Sequence, residues 1–342
     1  MTQYYSGWLW IYSTVLAVLI FLINVATLIF LYRFQDKRIV AMAQPRMLIV
    51  MCVGSLIVGT SVACRAIVYS TVTETNDTEP TPGLDFVCNL SEWLVYSGVL
   101  TILTVLICKL YRVHKVMQFR RNRKVLHRHI FGPFLVAQLV GIGLMTTRQI
   151  LAPRKYAVLR TEGGVFPYCD VLIRGLDDQW TQLYVELMHV YFILLQIGIV
   201  VFAWKLRHVN EDIGNSRRIL KLVLFEVTKN VVGVAADLIV FFYGHKNDWD
   251  EVELYTFLFT TGESMVFLHA IDAAAFIIWP IMYYVWYERK HGQLPEGVGT
   301  VGAGRVHVNI RPTAAITVAN TATTSVCNSI IGNQNPQQDQ AQ

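Results

Sequence analysis

The chain has 342 residues, 54% of them hydrophobic and 15% charged, with a mean hydropathy of +0.42. Soluble globular domains carry about 25% charged residues, so the composition excludes that class and points to the membrane. Six scattered cysteines with no CxxC pair and no metal-ligand spacing argue against a zinc or redox centre, and the net charge of +5 is informative only through its distribution.

Residues 1–7 carry no positive charge, and the apolar run Trp8–Tyr32 is longer than the about 7–15 residues of a signal-peptide core. The run is therefore predicted as a retained first span, preceded by a short extracellular N-terminus. Six further spans are predicted at Met47–Tyr69, Trp93–Cys108, Ile130–Ile150, Leu183–Trp204, Ile219–Tyr243 and Tyr255–Trp286, against a requirement of about 20 apolar residues per crossing. The third continues through Leu110 and Tyr111 into a basic segment, so its helix is expected to outrun its apolar part. The expected fold is an all-α bundle of seven transmembrane helices over 8–290. From Gln293 on, few charges and no periodicity predict a disordered tail, taken as 291–342.

Charge sets the orientation. Cys108 to Arg128 holds eight Lys or Arg and no acid; the first turn holds Arg33, Lys37, Arg38 and Arg46, and the fifth Lys205, Arg207, Arg217, Arg218 and Lys221. The alternate loops are acidic: Thr71 to Glu92 has five acids and no base, and His245 to Glu253 sets Lys246 against four acids. By the positive-inside rule the N-terminus lies outside and the C-terminus is cytoplasmic, with Trp8, Trp10, Trp93, Trp180, Trp204, Trp249 and Trp286 near span ends as interfacial anchors. The basic segment also attracts anionic membrane lipids.

The outer loops carry two marks of an oxidising compartment. Asn76 begins a glycosylation sequon in an exposed loop, whereas the Asn89 sequon abuts the membrane and a cysteine and is discounted. Cys88 and Cys169 are the cysteines outside the apolar runs and the tail, and a disulfide between them would pin the second outer loop over the bundle mouth. Two free thiols are the alternative.

Ionisable groups inside spans are functional candidates. Glu226, Asn230, Gly233 and Asp237 fall 4, 3 and 4 residues apart on one face of the sixth span, with Lys229 one turn from Glu226. They form either a polar seam that changes partners when the bundle switches or a static hydrogen-bonded stripe. Ser97, Thr101, Thr104 and Cys108 repeat that spacing on the third span, where small groups favour close helix packing. Glu186, His189 and Glu263, with Asp237, would line an outward-facing pocket of partly acidic character suited to an amine-bearing ligand, and Arg65 and Arg148 would supply counter-charges. His269 and Asp272 lack a second intramembrane histidine, so no metal site is assigned. With no internal repeat, a transporter is disfavoured too.

At the inner end of the third span, after Cys88 and Trp93, stands Lys109-Leu-Tyr-Arg112-Val-His114-Lys115; after the fifth comes Ala203-Trp204-Lys205-Leu206-Arg207-His208-Val209-Asn210; and Gln44-Pro45-Arg46 begins the second. These motifs resemble the family 3 (class C) G-protein-coupled receptors, the GABA-B-like branch above all, and cover Arg33 to about Ile219 in register. The resemblance implies a receptor that couples to a heterotrimeric G protein through Lys109, Arg112, His114, Lys115, Arg120, Arg121, Asn215, Arg217 and Arg218. In the family the lysine matching Lys109 pairs with an acid at the start of the sixth helix; Asn215 aligns there, with Glu211 and Asp212 close by. Lys109 and Arg112 would then tether the third and sixth spans at rest, so that Lys109→Ala is expected to raise basal signalling. The family's extracellular amino-acid-binding module is not expected ahead of the first span. The chain is expected in the plasma membrane, alone or as a homo- or heterodimer with another receptor subunit, with no cofactor, catalytic activity or nucleic-acid partner. An accessory subunit without signalling, or a zinc-dependent seven-span hydrolase, is the alternative.

Overall fold

The computed structural model describes residues 4–71, 82–118, 127–151, 153–161, 164–169, 179–206, 216–239 and 251–292. Spans one to six are helices Tyr4–Arg33, Pro45–Ser70, Pro82–Gln118, His127–Leu151, Gln179–Lys205 and Ser216–Ile239. The seventh runs as α-helix over Glu251–Ala273, as π-helix over Ala274–Ile278 and as α-helix again over Trp279–His291. A five-residue helix, Arg38–Met42, joins the first two spans. The first, second, third and seventh have the length and apolarity of a membrane crossing on their described residues alone.

Helix starts differ from the sequence reading. The first helix begins at Tyr4, inside the expected short extracellular N-terminus, while the end of the sixth expected span, beyond Ile239, lies outside the described residues. The third starts at Pro82 rather than Trp93. At 1.5 Å per residue its 37 residues span about 55 Å, beyond the about 30 Å of hydrocarbon. Hydropathy marks only the stretch in lipid, whereas a helix satisfies its backbone internally and continues into both aqueous layers.

Of those four the third is the most enclosed, with 61% of its apolar stretch buried against 33% of the first. Its Leu103, Leu106 and Leu110 meet Met51 and Cys52 of the second span, Ile199 of the fifth, Val223 of the sixth and Ile277 of the seventh in one core. Leu22, Ile29, Leu135, Val136, Leu139, Leu194 and Val231 are exposed on the outside, which is tolerable only against lipid tails. The small residues of the third span act as expected for close packing: Ser97 and Thr101 bond back to their own helix, and a Cβ on Gly98 would lie 2.7 Å from the Gly54 carbonyl oxygen and 3.0 Å from the Val58 nitrogen. Thr104 differs, because it also accepts from Gln138 at 2.8 Å.

The second outer loop contains a hairpin, β1 (Tyr156–Thr161) and β2 (Gly164–Cys169), with Tyr156 opposite Cys169. The Cys88–Cys169 disulfide fastens β2 to the third span. The start of β1 is fastened separately: the Tyr156 N–H donates to Asp85 at 2.6 Å, and the Asn89 side chain donates to the Arg154 carbonyl and accepts from its N–H, both at 2.7 Å. Asn89 is thus engaged with backbone through both its oxygen and its nitrogen. Phe166 and Tyr168 of β2 are buried with Leu9 and Phe259 against the outer ends of the first and seventh spans. At the inner end Gly292, at φ +71°, closes the seventh span in the left-handed conformation that favours glycine, after Arg289, Lys290 and His291 in the last turn.

The close approach at Gly98 predicts that Gly98→Ala lowers stability by about 1–3 kcal/mol, because backbone must move. Gly143→Ala, where nothing lies within 4 Å, leaves it unchanged or slightly raised. Thermal unfolding of the detergent-purified variants separates the two.

Candidate functional site

Between the roof hairpin and mid-membrane lies a cavity of about 380 Å³. Along the third span it is lined from Cys88 through Glu92, Val95 and Tyr96 to Val99, about 16 Å of helix. The fifth span contributes Phe192 and Gln196, the sixth Lys229 and Asn230, and the seventh Met265 and His269. Size and lining, mostly apolar with a few convergent polar groups, are those of a small-molecule site.

Two ion-pair groups flank the cavity's outer half. Glu92 accepts from Arg154 Nε at 2.7 Å and forms a second ion pair with Arg148, whose guanidinium lies 5.8 Å from the Tyr96 ring centre. Arg65 of the second span pairs with Glu263 of the seventh at 3.0 Å. Glu263 and Arg148 are buried at 1% and 3% exposure, so each depends on its counter-charge. Arg65 and Arg148 supply the counter-charges the sequence suggested. The acid that joins Arg148 to the loop arginine, Glu92, was not legible there, because it lies in the part of the helix that hydropathy assigns to a loop.

The cavity floor is a four-residue cluster. Lys229 Nζ bonds to Glu226 Oε1 at 3.0 Å and, across the helix interface, to Asp272 of the seventh span. His269 Nδ1 lies 2.7 Å from Glu226 Oε2 and 3.1 Å from Lys229 Nζ, so it bonds to the carboxylate when protonated and to the ammonium when not. Asn230 donates to Gln196 of the fifth span at 3.1 Å. The stripe read on the sixth span is therefore one half of a joint between spans, and its other half is the His269–Asp272 pair. Glu226, His269 and Asp272 place ligand atoms within 4.8 Å of one another, as a metal site would. The Lys229 ammonium lies between the two carboxylates and supplies a built-in cation there.

Of the other expected pocket residues, Glu263 is neutralised by Arg65, while the side chains of Glu186, His189 and Asp237 lie outside the described residues, as do Asn76, Arg120, Arg121 and Asn215. At the inner end Lys109 is fully buried, and its ammonium has no hydrogen-bond partner among the described residues. No acid tethers it among the described residues; Glu211 and Asp212 lie outside them. Arg112 is exposed, His114 lies against Phe202, and Lys115 lies over Tyr111. Arg218 donates to the Tyr284 hydroxyl at 2.7 Å, joining the sixth and seventh spans there; the Arg217 side chain is outside the described set.

The family model described as "7 transmembrane sweet-taste receptor of 3 GCPR" matches residues 3–271. The match begins ahead of the first helix and ends two residues after His269, so it covers the sixth span, which the sequence motifs do not reach. No individual characterised protein matches the chain. With well over half of its residues inside that match, the chain belongs to the family 3 (class C) G-protein-coupled receptors.

Proposed function

We propose that the chain receives a stimulus in its outward cavity and passes it to a heterotrimeric G protein by changing how the sixth and seventh spans pack. The observation that supports this is the floor cluster, in which Lys229 is shared between Glu226 on its own helix and Asp272 on the next. Lys229 and His269 face the cavity, so an occupant meets the joint directly.

Magnitude favours this cluster as the switch. Driving a two-state equilibrium from 1:99 to 99:1 takes about 5.5 kcal/mol. Breaking a buried ion pair costs about 3–5 kcal/mol, whereas an exposed pair contributes about 0.2–1 kcal/mol. Repartnering of Lys229 is on the needed scale; the exposed basic residues of the inner loops are not. They serve better as the docking face, with Arg112 exposed and Arg218 engaged to Tyr284. A stimulus that binds one packing better than the other shifts the population toward it.

Lys109 takes a different place in this scheme from the resting tether. A buried ammonium without a partner is unfavourable, so the resting packing stores that cost and the coupled packing can relieve it with an anion at the cytoplasmic mouth. The expected sign therefore reverses: Lys109→Met raises the melting temperature and lowers receptor-driven nucleotide exchange. A lower melting temperature with raised exchange would restore the tether.

Purified protein in nanodiscs with added heterotrimers should accelerate GDP release, and silence across all G-protein classes would sink the coupling. For the joint, Lys229→Met strands two carboxylates and should destabilise by about 3–5 kcal/mol. Adding Asp272→Asn should recover a large part of that loss and raise resting exchange. Additive losses from the two substitutions would show that the pair is not coupled.

A further inference from the structure

We infer that the floor cluster is a proton-binding site with His269 as the seat of the proton, and that the bound proton fastens the sixth span to the seventh; this rests on the reading of that joint as the part that moves. The charges of the cluster call for one more positive group. Glu226 and Asp272 bring two negative charges and Lys229 one positive, and the ligand atoms of Glu226, His269 and Asp272 lie within 4.8 Å of one another. With a neutral imidazole the cluster keeps one uncompensated negative charge inside the membrane, which is costly. With an imidazolium it is neutral. Histidine is the side chain whose ordinary titration falls between about pH 5 and 8. It is also the member within reach of water: the His269 side chain is 18% exposed, on the cavity wall, against 8% for Glu226, 4% for Lys229 and 0% for Asp272.

The proton changes which partners the ring holds. When Nδ1 takes a proton from water, the ring donates to Glu226 Oε2 over 2.7 Å, and two ion pairs, Glu226–His269 and Lys229–Asp272, cross between the spans. When that proton returns to water, the Nδ1 lone pair accepts from Lys229 Nζ over 3.1 Å, and Glu226 loses its ion pair with the seventh span. Acid therefore tightens the joint and alkali loosens it. The other charged groups described around the ring are engaged elsewhere. Glu263 stands six residues up the same helix, about 9 Å away, and pairs with Arg65 of the second span. On the third span Glu92 binds Arg148 and Arg154, and Tyr96 lies against the Arg148 guanidinium. The fifth span presents the uncharged Gln196, bonded to Asn230, and the first has no charged residue from Tyr4 to Tyr32.

The test reads the proton and the joint separately, in nanodiscs and without a G protein. Solid-state NMR of protein carrying isotope-labelled histidine reports the protonation of each ring, and the His269 signal is the one lost in His269→Gln. We expect it to pass from imidazolium to imidazole between about pH 5 and 9. For the joint, spin labels at Leu224→Cys and Tyr283→Cys, both exposed positions, report the distance between the two spans in a Cys327→Ser background, where the remaining free cysteines are buried. The population at the longer distance should rise about threefold or more from the acid to the alkaline end. His269→Gln should hold the long distance at every pH, and Glu226→Gln, which leaves the cluster neutral without the proton, the short one. A ring that stays in one state, a distance unmoved while the ring titrates, or a pH response retained in His269→Gln overturns the inference. His269→Asn serves if His269→Gln does not fold. Nucleotide exchange is scored apart from these: a pH-dependent joint without exchange removes the coupling and keeps the site, and exchange with a joint blind to pH does the reverse.

Discussion

A charge inside a bilayer has to find its opposite, and the bundle is arranged around the places where that happens. Lys229 is the deepest of them, an ammonium at mid-membrane held by carboxylates from two helices. Desolvating these groups costs several kcal/mol each, and their mutual attraction offsets that only while the geometry holds. The sixth and seventh spans are therefore registered to one another by electrostatics. Their apolar faces, most of which meet lipid equally well, supply no comparable constraint.

The same requirement, met differently, closes the outer end. Arg148 leaves the fourth span, Arg154 comes from the loop before β1, and Glu92 on the third span accepts both. Around this pair the loop is tied by backbone bonds to Asp85 and Asn89 and by the Cys88–Cys169 disulfide, all on one extended helix end. The extra turns of the third helix are what make the roof possible: without residues 82–92 in helical form, Asp85, Cys88, Asn89 and Glu92 would not present themselves along one face at intervals of three and four. The cavity is thus framed by charge above and below, with apolar walls between.

Much of this was legible in the sequence, and the parts that were not share a cause. Seven spans, their orientation and the two cysteines of the roof follow from hydropathy, loop charge and location. The polar face Glu226–Lys229–Asn230 follows from helical spacing. What spacing leaves open is which neighbour a polar face meets: His269 and Asp272 sat three apart on the seventh span, judged on their own as weak metal ligands, and only the packing of two helices makes them the partners of Lys229. Glu92 was hidden for a second reason, since a hydropathy window ends a helix where lipid ends. The tether expected from family resemblance at Lys109 is a statement about Asn215, Glu211 and Asp212, and the described residues offer the lysine no acid.

The seventh span connects the two ends of the molecule, and its local geometry suits that task. Pro280 has no N–H to offer the carbonyl one turn earlier, and the helix widens to a π-turn over Ala274–Ile278, immediately before it. Such a turn replaces regular bonds with longer ones and marks a place where a helix changes register at modest cost. It begins two residues after Asp272, and four residues beyond Pro280 stands Tyr284, which receives the Arg218 hydrogen bond from the sixth span. The two spans are therefore joined by charge above the irregular turn and by a hydrogen bond and ring stacking below it. In the proposed coupling, a change in the upper joint need not be transmitted through a rigid rod, since the turn would let the inner segment reorient about the lower joint.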